Sequence, residues 1–306
     1  MAMTRQSAAR QCNGGVVRQR VFLVGCPRSG TTLLQSILHA HRHIQSLPET
    51  HFLPHLLGSE EFRRSSADTP CSLKARRRCL GRRALAGVGL VNRRRARNAW
   101  DYLQALNVAR RPPQDGGLRL SSQLAAFVDS LDEYALEAHK PMWLEKTPDH
   151  LFYIEQLQRW VPDARFIHLI RDGRQVVASL YRAAQRYPDW RPFLDLERGV
   201  DRWCTAVNES ARWQGDARHL HVRYEDLVWH PEQTLQRVLI FLGCEPEAGL
   251  WSRSQHRAGE LIRGNEPWKE GNLLPMQVRD GFSELLDAGQ RRWVENALAM
   301  HAPGLG

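Results

Sequence analysis

The stretch Arg20-Val21-Phe22-Leu23-Val24-Gly25-Cys26-Pro27-Arg28-Ser29-Gly30-Thr31-Thr32-Leu33-Leu34 decides how the rest of the chain is read. Residues 20–25 are a short, partly β-branched apolar run ending on Gly, the pattern of a buried strand. Residues 30–41 place Leu33, Leu34, Ile37 and Leu38 on one helical face. Between them lies a Gly/Pro/Ser loop, and the order strand, loop, helix makes a phosphate loop credible. The N–H groups of such a loop, with a helix dipole behind them, form an anion site. The spacing from Gly25 to Gly30 equals that of a nucleotide triphosphatase loop, yet Thr31 stands where those enzymes carry Lys. The β- and γ-phosphates of ATP then lack their point-charge partner, and no strand-end Asp is placed to hold Mg²⁺. Arg28 offers a bidentate fork instead. The plainer alternative is a structural Gly turn ahead of a helix.

The same pattern returns downstream. Residues 165–170, Arg-Phe-Ile-His-Leu-Ile, read as a strand. Arg171-Asp172-Gly173 follows, then a helix with Val176, Val177, Leu180 and Tyr181 on one side; Asp172 with Gln175 resembles a capping box. Arg171 at a strand end and Ser179 on the next helix suit a phosphate dianion through charge-assisted hydrogen bonds. Taken alone, that Arg-Asp-Gly is equally a simple turn. Further strands are expected at 142–144 and 219–224, with a short one at 44–46. A helix opened by Pro231 carries Leu235, Val238, Leu239 and Leu242 and closes at Gly243. Strands alternating with helices imply a mostly parallel sheet in a three-layer α/β/α fold resembling that of the phosphate-loop proteins. In such sheets ligands bind at the carboxyl ends of the strands, so two anion sites there describe one ligand with two separated anionic groups.

The 306 residues, 42% hydrophobic and 25% charged, fit a single globular domain over 1–306. The expected parts are a flexible tail at 1–19, a helical insertion or lid at about 53–139, and a donor- and acceptor-covering segment at 244–306. The insertion is read as helical from Leu124, Phe127, Val128 and Leu131. The start of the chain holds no signal-like apolar run and no stretch approaches a membrane span, so stable membrane insertion is not expected. Six cysteines show no CxxC pair and no zinc spacing, which points to a reducing, cytoplasmic compartment. The net charge of +10 is concentrated: residues 61–112 hold 14 Lys/Arg against Glu61, Asp68 and Asp101. That block reads either as a surface for an acidic glycan, acidic peptide, nucleic acid or lipid, or as a solvated helical face.

These motifs carry a resemblance to sulfotransferases that use 3′-phosphoadenosine 5′-phosphosulfate (PAPS). Residues 27–34 look like their 5′-phosphosulfate loop, and Ile170-Arg171-Asp172-Gly173-Arg174 with Ser179 like their 3′-phosphate motif. Ser46-Leu47-Pro48-Glu49-Thr50-His51-Phe52 and Glu145-Lys146-Thr147-Pro148 look like two further family segments. The resemblance runs from about Val21 to Leu242, in the branch that holds protein-tyrosine sulfotransferases and many bacterial enzymes, where a Glu beyond the loop helix is the base. It implies PAPS as co-substrate, 3′-phosphoadenosine 5′-phosphate (PAP) as product, and no metal.

It also implies roles. Glu49 is the general base, with a helix cap at Thr50 as its plainer alternative and His51 as a second candidate base. Lys146 neutralises the bridging oxygen. Arg28 serves catalysis and, with Ser29, Gly30, Thr31 and Thr32, holds the 5′-phosphosulfate. Arg171 and Ser179 hold the 3′-phosphate, and Tyr224 touches the donor or is a core aromatic. The closing cluster of the small-phenol relatives has two candidate counterparts, Arg263-Gly264 and Trp268-Lys269-Glu270-Gly271. The acceptor is a hydroxyl on a small molecule, glycan or tyrosine peptide, and a homo-oligomer is left open. A kinase using ATP with Mg²⁺ is the rival enzyme. A protein binding nucleic acid or an anionic surface is the rival without chemistry, and leaves both anion motifs unexplained.

Overall fold

The computed structural model describes residues 16–58, 88–109, 112–113, 117–161, 163–261 and 280–301. The N-terminal stretch before them, much of the basic block and both candidate closing clusters lie outside the described residues.

Five strands make one all-parallel sheet: β1 (Gln19–Gly25), β2 (Ile44–Ser46), β3 (Met142–Lys146), β4 (Ala164–Ile170) and β5 (His219–Arg223), in the order β2-β3-β1-β4-β5. β1 is central, with β3 on one side and β4 on the other. Its alternation feeds both faces: Val21 and Leu23 join one apolar cluster, Phe22 and Val24 the other, and all four are fully buried. Burial on both faces explains why β1 reads as a continuous apolar run.

On the first face, α1 (Thr31–His39) and α9 (Pro231–Leu242) pack Leu34, Ile37 and Leu38 with Leu235, Val238, Leu239 and Leu242. On the second lie α2 (Phe52–Leu57), α3 (Arg93–Ala105), α4 (Leu120–Glu137), α5 (Ile154–Trp160), α6 (Gly173–Arg186), α7 (Leu196–Ala211) and α12 (Ala288–His301). The remaining α-helices among the described residues are α8 (Tyr224–Trp229), α10 (Leu250–Arg257) and α11 (Gly281–Leu285). Phe52 stacks on Phe127 at 4.3 Å and meets Trp100 edge-on at 5.5 Å, so α2, α3 and α4 share one aromatic core. Among the described residues no helix is long and apolar enough to cross a membrane. The capping box expected at Asp172 is half formed. Asp172 accepts from the Gln175 N–H at 3.2 Å, but the Gln175 side chain donates to Asp280, the N-cap of α11, at 2.8 Å instead of reaching back.

β4 and β5 bury a histidine cluster. His168 is fully buried, with Nε2 2.8 Å from His219 Nδ1 and Nδ1 3.1 Å from Ser210 Oγ. Phe166 and Trp213 stack on the two sides of His219. Burial holds His168 well below its ordinary pKa and lowers His219 to about 4 and His221 in the same direction. The unfolded chain therefore takes up protons below about pH 6.5 that the folded chain refuses. The histidines' contribution to stability is fully present above that pH and is lost progressively as pH drops from 6.5 towards 4. Urea midpoints at pH 7.5, 6.5 and 5.5 check this: a flat profile rules it out, and His219→Gln should lessen the slope.

Candidate functional site

The site lies across the carboxyl ends of β1, β3 and β4, where the chain leaves the central strand first to one side and then to the other. Gly25 ends β1 at φ 153°, and a Cβ there would sit 2.5 Å from the Leu169 carbonyl oxygen of β4. Only Gly lets the loop start that close. Gly30 (φ 93°) starts α1, and a Cβ on it would lie 2.4 Å from Tyr224 Cδ2. The α1 N-terminus has no side-chain cap, and the Leu33 N–H donates to the Gly30 carbonyl at 3.0 Å. Ser29 Oγ is buried and has no hydrogen-bond partner among the described residues. An uncapped helix start beside an unsatisfied hydroxyl fits an oxyanion.

Arg28 has a left-handed backbone (φ 71°) and donates from Nε to Ser179 Oγ at 3.1 Å. Its guanidinium carbon is 5.9 Å from the Trp190 ring. Burial and the nearby Arg171 cation lower the Arg28 pKa to about 10. Arg171 donates to the Arg28 carbonyl at 3.3 Å and lies 4.3 Å over the Tyr224 ring, while Trp203 Nε1 donates to the Arg171 carbonyl at 2.8 Å. Arg28, Arg171, Ser179, Gly30 and Tyr224 therefore form one locus. Two arginines that repel one another here would be stabilised by an anion bound between them.

The second half of the site is a chain of contacts around Glu49. This carboxylate is buried, with Lys146 Nζ on Oε1 and His51 Nε2 3.2 Å from Oε2. Lys146, also buried, donates to Thr32 Oγ1 at 3.2 Å. Thr32 therefore links the phosphate loop to the Glu49–Lys146 pair. The plainer alternative for Glu49 does not hold: α2 starts at Phe52 with His51 at its N-cap position and no side-chain cap. Lys146 is the last, fully enclosed residue of β3.

A buried network holds this pair in place. Glu145 Oε1 accepts from the Thr50 and Thr147 hydroxyls at 2.7 and 2.6 Å, and Oε2 lies 2.7 Å from His150 Nδ1. Thr147 Oγ1 in turn accepts from the His51 N–H at 3.1 Å, fixing a residue whose φ is 45°. Burial alone would raise the Glu145 carboxyl, but His150 and the two threonine hydroxyls outweigh it and hold it below the usual range. The segment of residues 49–51 is thereby clamped to the end of β3.

The structure thus brings together Arg28, Ser29, Gly30, Thr31, Thr32, Glu49, Lys146, Arg171, Ser179 and Tyr224, with His51 on Glu49; the two candidate closing clusters lie outside the described residues. Sequence reasoning missed the clamp of Glu145, Thr50, Thr147 and His150. It also missed Tyr102 of α3, whose ring meets His51 at 6.1 Å and His55 at 4.8 Å. Glu145 was visible only as a neighbour of Lys146; Tyr102 carried no local signal.

Residues 20–248 match the model of a sulfotransferase family. Protein-tyrosine sulfotransferase A of Caenorhabditis elegans is 23% identical over 229 residues, 72% of this chain and 49% of that protein. Protein-tyrosine sulfotransferase 2 of Gallus gallus is 27% identical over 248 residues, 79% and 54% respectively. Nodulation protein NoeE of Sinorhizobium fredii is 28% identical over 247 residues, 75% and 51%. The chain spans about half the length of these curated relatives. Among solved structures, the sulfotransferase domain of the Synechococcus PCC 7002 olefin synthase aligns with a TM-score of 0.50 at 19% identity, over 91% of this chain and 97% of that one. Mouse sulfotransferase SULT7A1, complexed with PAP, aligns with a TM-score of 0.50 at 13% identity, over 94% and 86%. These two likenesses are of fold.

Proposed function

Because this chain belongs to the sulfotransferase family, we propose that it transfers a sulfuryl group from PAPS to a hydroxyl acceptor by in-line displacement, with Glu49 as the base. The observation that carries the reading is the continuous contact chain from Arg171 and Arg28, through the phosphate loop and Thr32, to Lys146, Glu49 and His51. Donor-anion groups and acid–base groups share one rim of the sheet.

In this reading Arg28, the hydroxyls of Ser29, Thr31 and Thr32 and the N–H groups at the start of α1 hold the 5′-phosphosulfate; Arg171 and Ser179 hold the 3′-phosphate. Tyr224 walls the donor locus beside Gly30. The acceptor proton passes to the Glu49 carboxylate as the new O–S bond forms. The O–S bond to the donor breaks, and its electron pair stays on the bridging oxygen, where Lys146 supplies positive charge. Lys146 rests on Glu49 in the structure, so it must shift from the carboxylate to the developing oxyanion. Because the transferred group carries a single negative charge, fixed cations take the part that a metal has in phosphoryl transfer, and no metal is assigned a role. Thr31 at the lysine position of the triphosphatase loop supports this over an ATP-using kinase.

The acceptor class is a hydroxyl on a small molecule, a glycan or a tyrosine-bearing peptide; relatives are named for protein tyrosine. A cytoplasmic setting belongs to the same proposal, supported by the free thiols of Cys26, Cys204 and Cys244. The test is calorimetric titration with PAP in EDTA, beside ATP with Mg²⁺. Micromolar PAP binding without metal is expected, weakened about 10- to 100-fold by Arg171→Ala through loss of a charged hydrogen-bond donor. Binding of ATP with Mg²⁺ alone, or of neither, would defeat the proposal.

A further inference from the structure

Away from the site, the second face of the molecule carries an unusual surface. Residues 88–91 pair with residues 118–120: Val91 N–H donates to the Leu118 carbonyl at 2.7 Å, Leu120 N–H to the Gly89 carbonyl at 2.8 Å, and Leu90 bridges Arg119. Against the neighbouring α5 they enclose a groove of about 780 Å³, lined by Val88, Leu90, Arg119, Gln156, Arg159 and Trp160. Val88, Leu90 and Trp160 are 71%, 37% and 39% exposed. Three large apolar side chains left in water around one groove mark an interaction surface more than chance exposure does.

Its charge is one-sided. Arg119 and Arg159 are exposed, and neither is in an ion pair among the described residues. Arg159 lies 5.3 Å over the Trp160 ring. The acid on the groove wall, Glu155, is already taken by Arg212 at 2.8 Å. Three residues beyond Leu90, α3 opens with Arg93, Arg94, Arg95 and Arg97 and no acid in its first turn, against the positive end of its own dipole. Arg95 turns inward to the Pro54 and Leu56 carbonyls, while Arg93, Arg94 and Arg97 remain exposed.

We propose that this face docks peripherally on an anionic lipid bilayer, with Leu90, Val88 and Trp160 entering the headgroup region and the arginines meeting lipid phosphates. The combination selects the partner. Nucleic acid supplies phosphates but gives exposed Val and Leu no apolar phase, and an apolar protein surface leaves the arginines without counter-charge. A bilayer supplies both: tryptophan and apolar side chains enter the interface, and arginine stems reach phosphate while their chains stay in apolar contact. This inference is independent of the activity proposed above.

The test is co-sedimentation of the full chain with vesicles of phosphatidylcholine, with and without phosphatidylglycerol, over a salt series. Partition into the anionic vesicles alone, weakening with salt, is expected. Arg119→Ala with Arg159→Ala should weaken it roughly 25-fold, about fivefold per arginine, and Leu90→Ser with Trp160→Ser by at least about tenfold. Thermal unfolding confirms that each variant is folded. No partition, equal partition into neutral vesicles, or partition untouched by both pairs overturns the proposal. So does tighter binding to a duplex oligonucleotide than to the vesicles, or a lipid-free dimer lost in the Leu90→Ser/Trp160→Ser variant.

Discussion

Glu49→Gln lowers turnover by about 10²- to 10⁴-fold, the range that a positioned general base supplies, while PAP affinity stays within a few-fold of the parent. The amide keeps the size of the side chain and can accept from Lys146, but it cannot take the acceptor proton. The split between turnover and donor affinity is the diagnostic readout, because Glu49 reaches the phosphate loop through Lys146 and Thr32. Single-turnover assays with radiolabelled donor, beside calorimetry with PAP, measure both quantities. Near-parental turnover in Glu49→Gln would pass the role of base to His51. A parallel His51→Gln variant separates the two: as a partner of Glu49, His51 costs less than Glu49 when removed.

Gly30→Ala abolishes donor binding, with affinity for PAP falling by about 100-fold or more and stability by about 2–4 kcal/mol. Two independent faults add. A φ of 93° is poorly tolerated by any residue with a Cβ, and that Cβ meets the Tyr224 ring at 2.4 and 2.5 Å. Relieving the overlap moves the Tyr224 ring, over which Arg171 lies at 4.3 Å, and so disturbs the arginine proposed for the 3′-phosphate. Combining Gly30→Ala with Tyr224→Ala separates the faults, since it removes the overlap and leaves the backbone strain. Partial recovery of stability without recovery of PAP binding is the expected pattern. Unchanged binding in Gly30→Ala alone would show that the loop does not carry the donor.

The legible part of this fold was the part written locally. β1, the loop and α1 are contiguous, and their apolar period changes from strand to helix within a few residues; the same holds for β4 and α6. The order in which strands pair is not local, but an all-parallel sheet follows once helices separate the strands. β3 shows where local reading stops. Met142-Trp143-Leu144 looked like a strand, whereas Glu145 and Lys146 looked like its polar exit. Both are strand residues and fully enclosed, because their partners are Thr50, His150 and Glu49, which lie elsewhere in the sequence. His168, His219 and His221 are illegible for the same reason. Each reads as a polar interruption of an apolar run until β4 and β5 pair and put them side by side. Charge is the least local signal of all. Lys146 is legible as a functional residue only through the segment it sits in, and Tyr102 only through the ring contacts that α3 makes with α2.

The sheet order has a consequence for how the chain is made. β1 is the central strand, yet its neighbours arrive late: Gln19 pairs with Met142 and Arg20 with Ala164. At ribosomal rates of about 5–20 residues per second, the second neighbour is synthesised roughly 7 to 30 seconds after β1. Through that interval Val21-Phe22-Leu23-Val24 is an apolar strand with both edges bare, the kind of segment that finds the wrong partner. Vectorial synthesis therefore cannot complete this sheet from its N-terminus inward; the centre waits for both flanks. A nascent chain stalled before residue 142 should be a client of holding chaperones and a target for proteases, and one released beyond β4 should not.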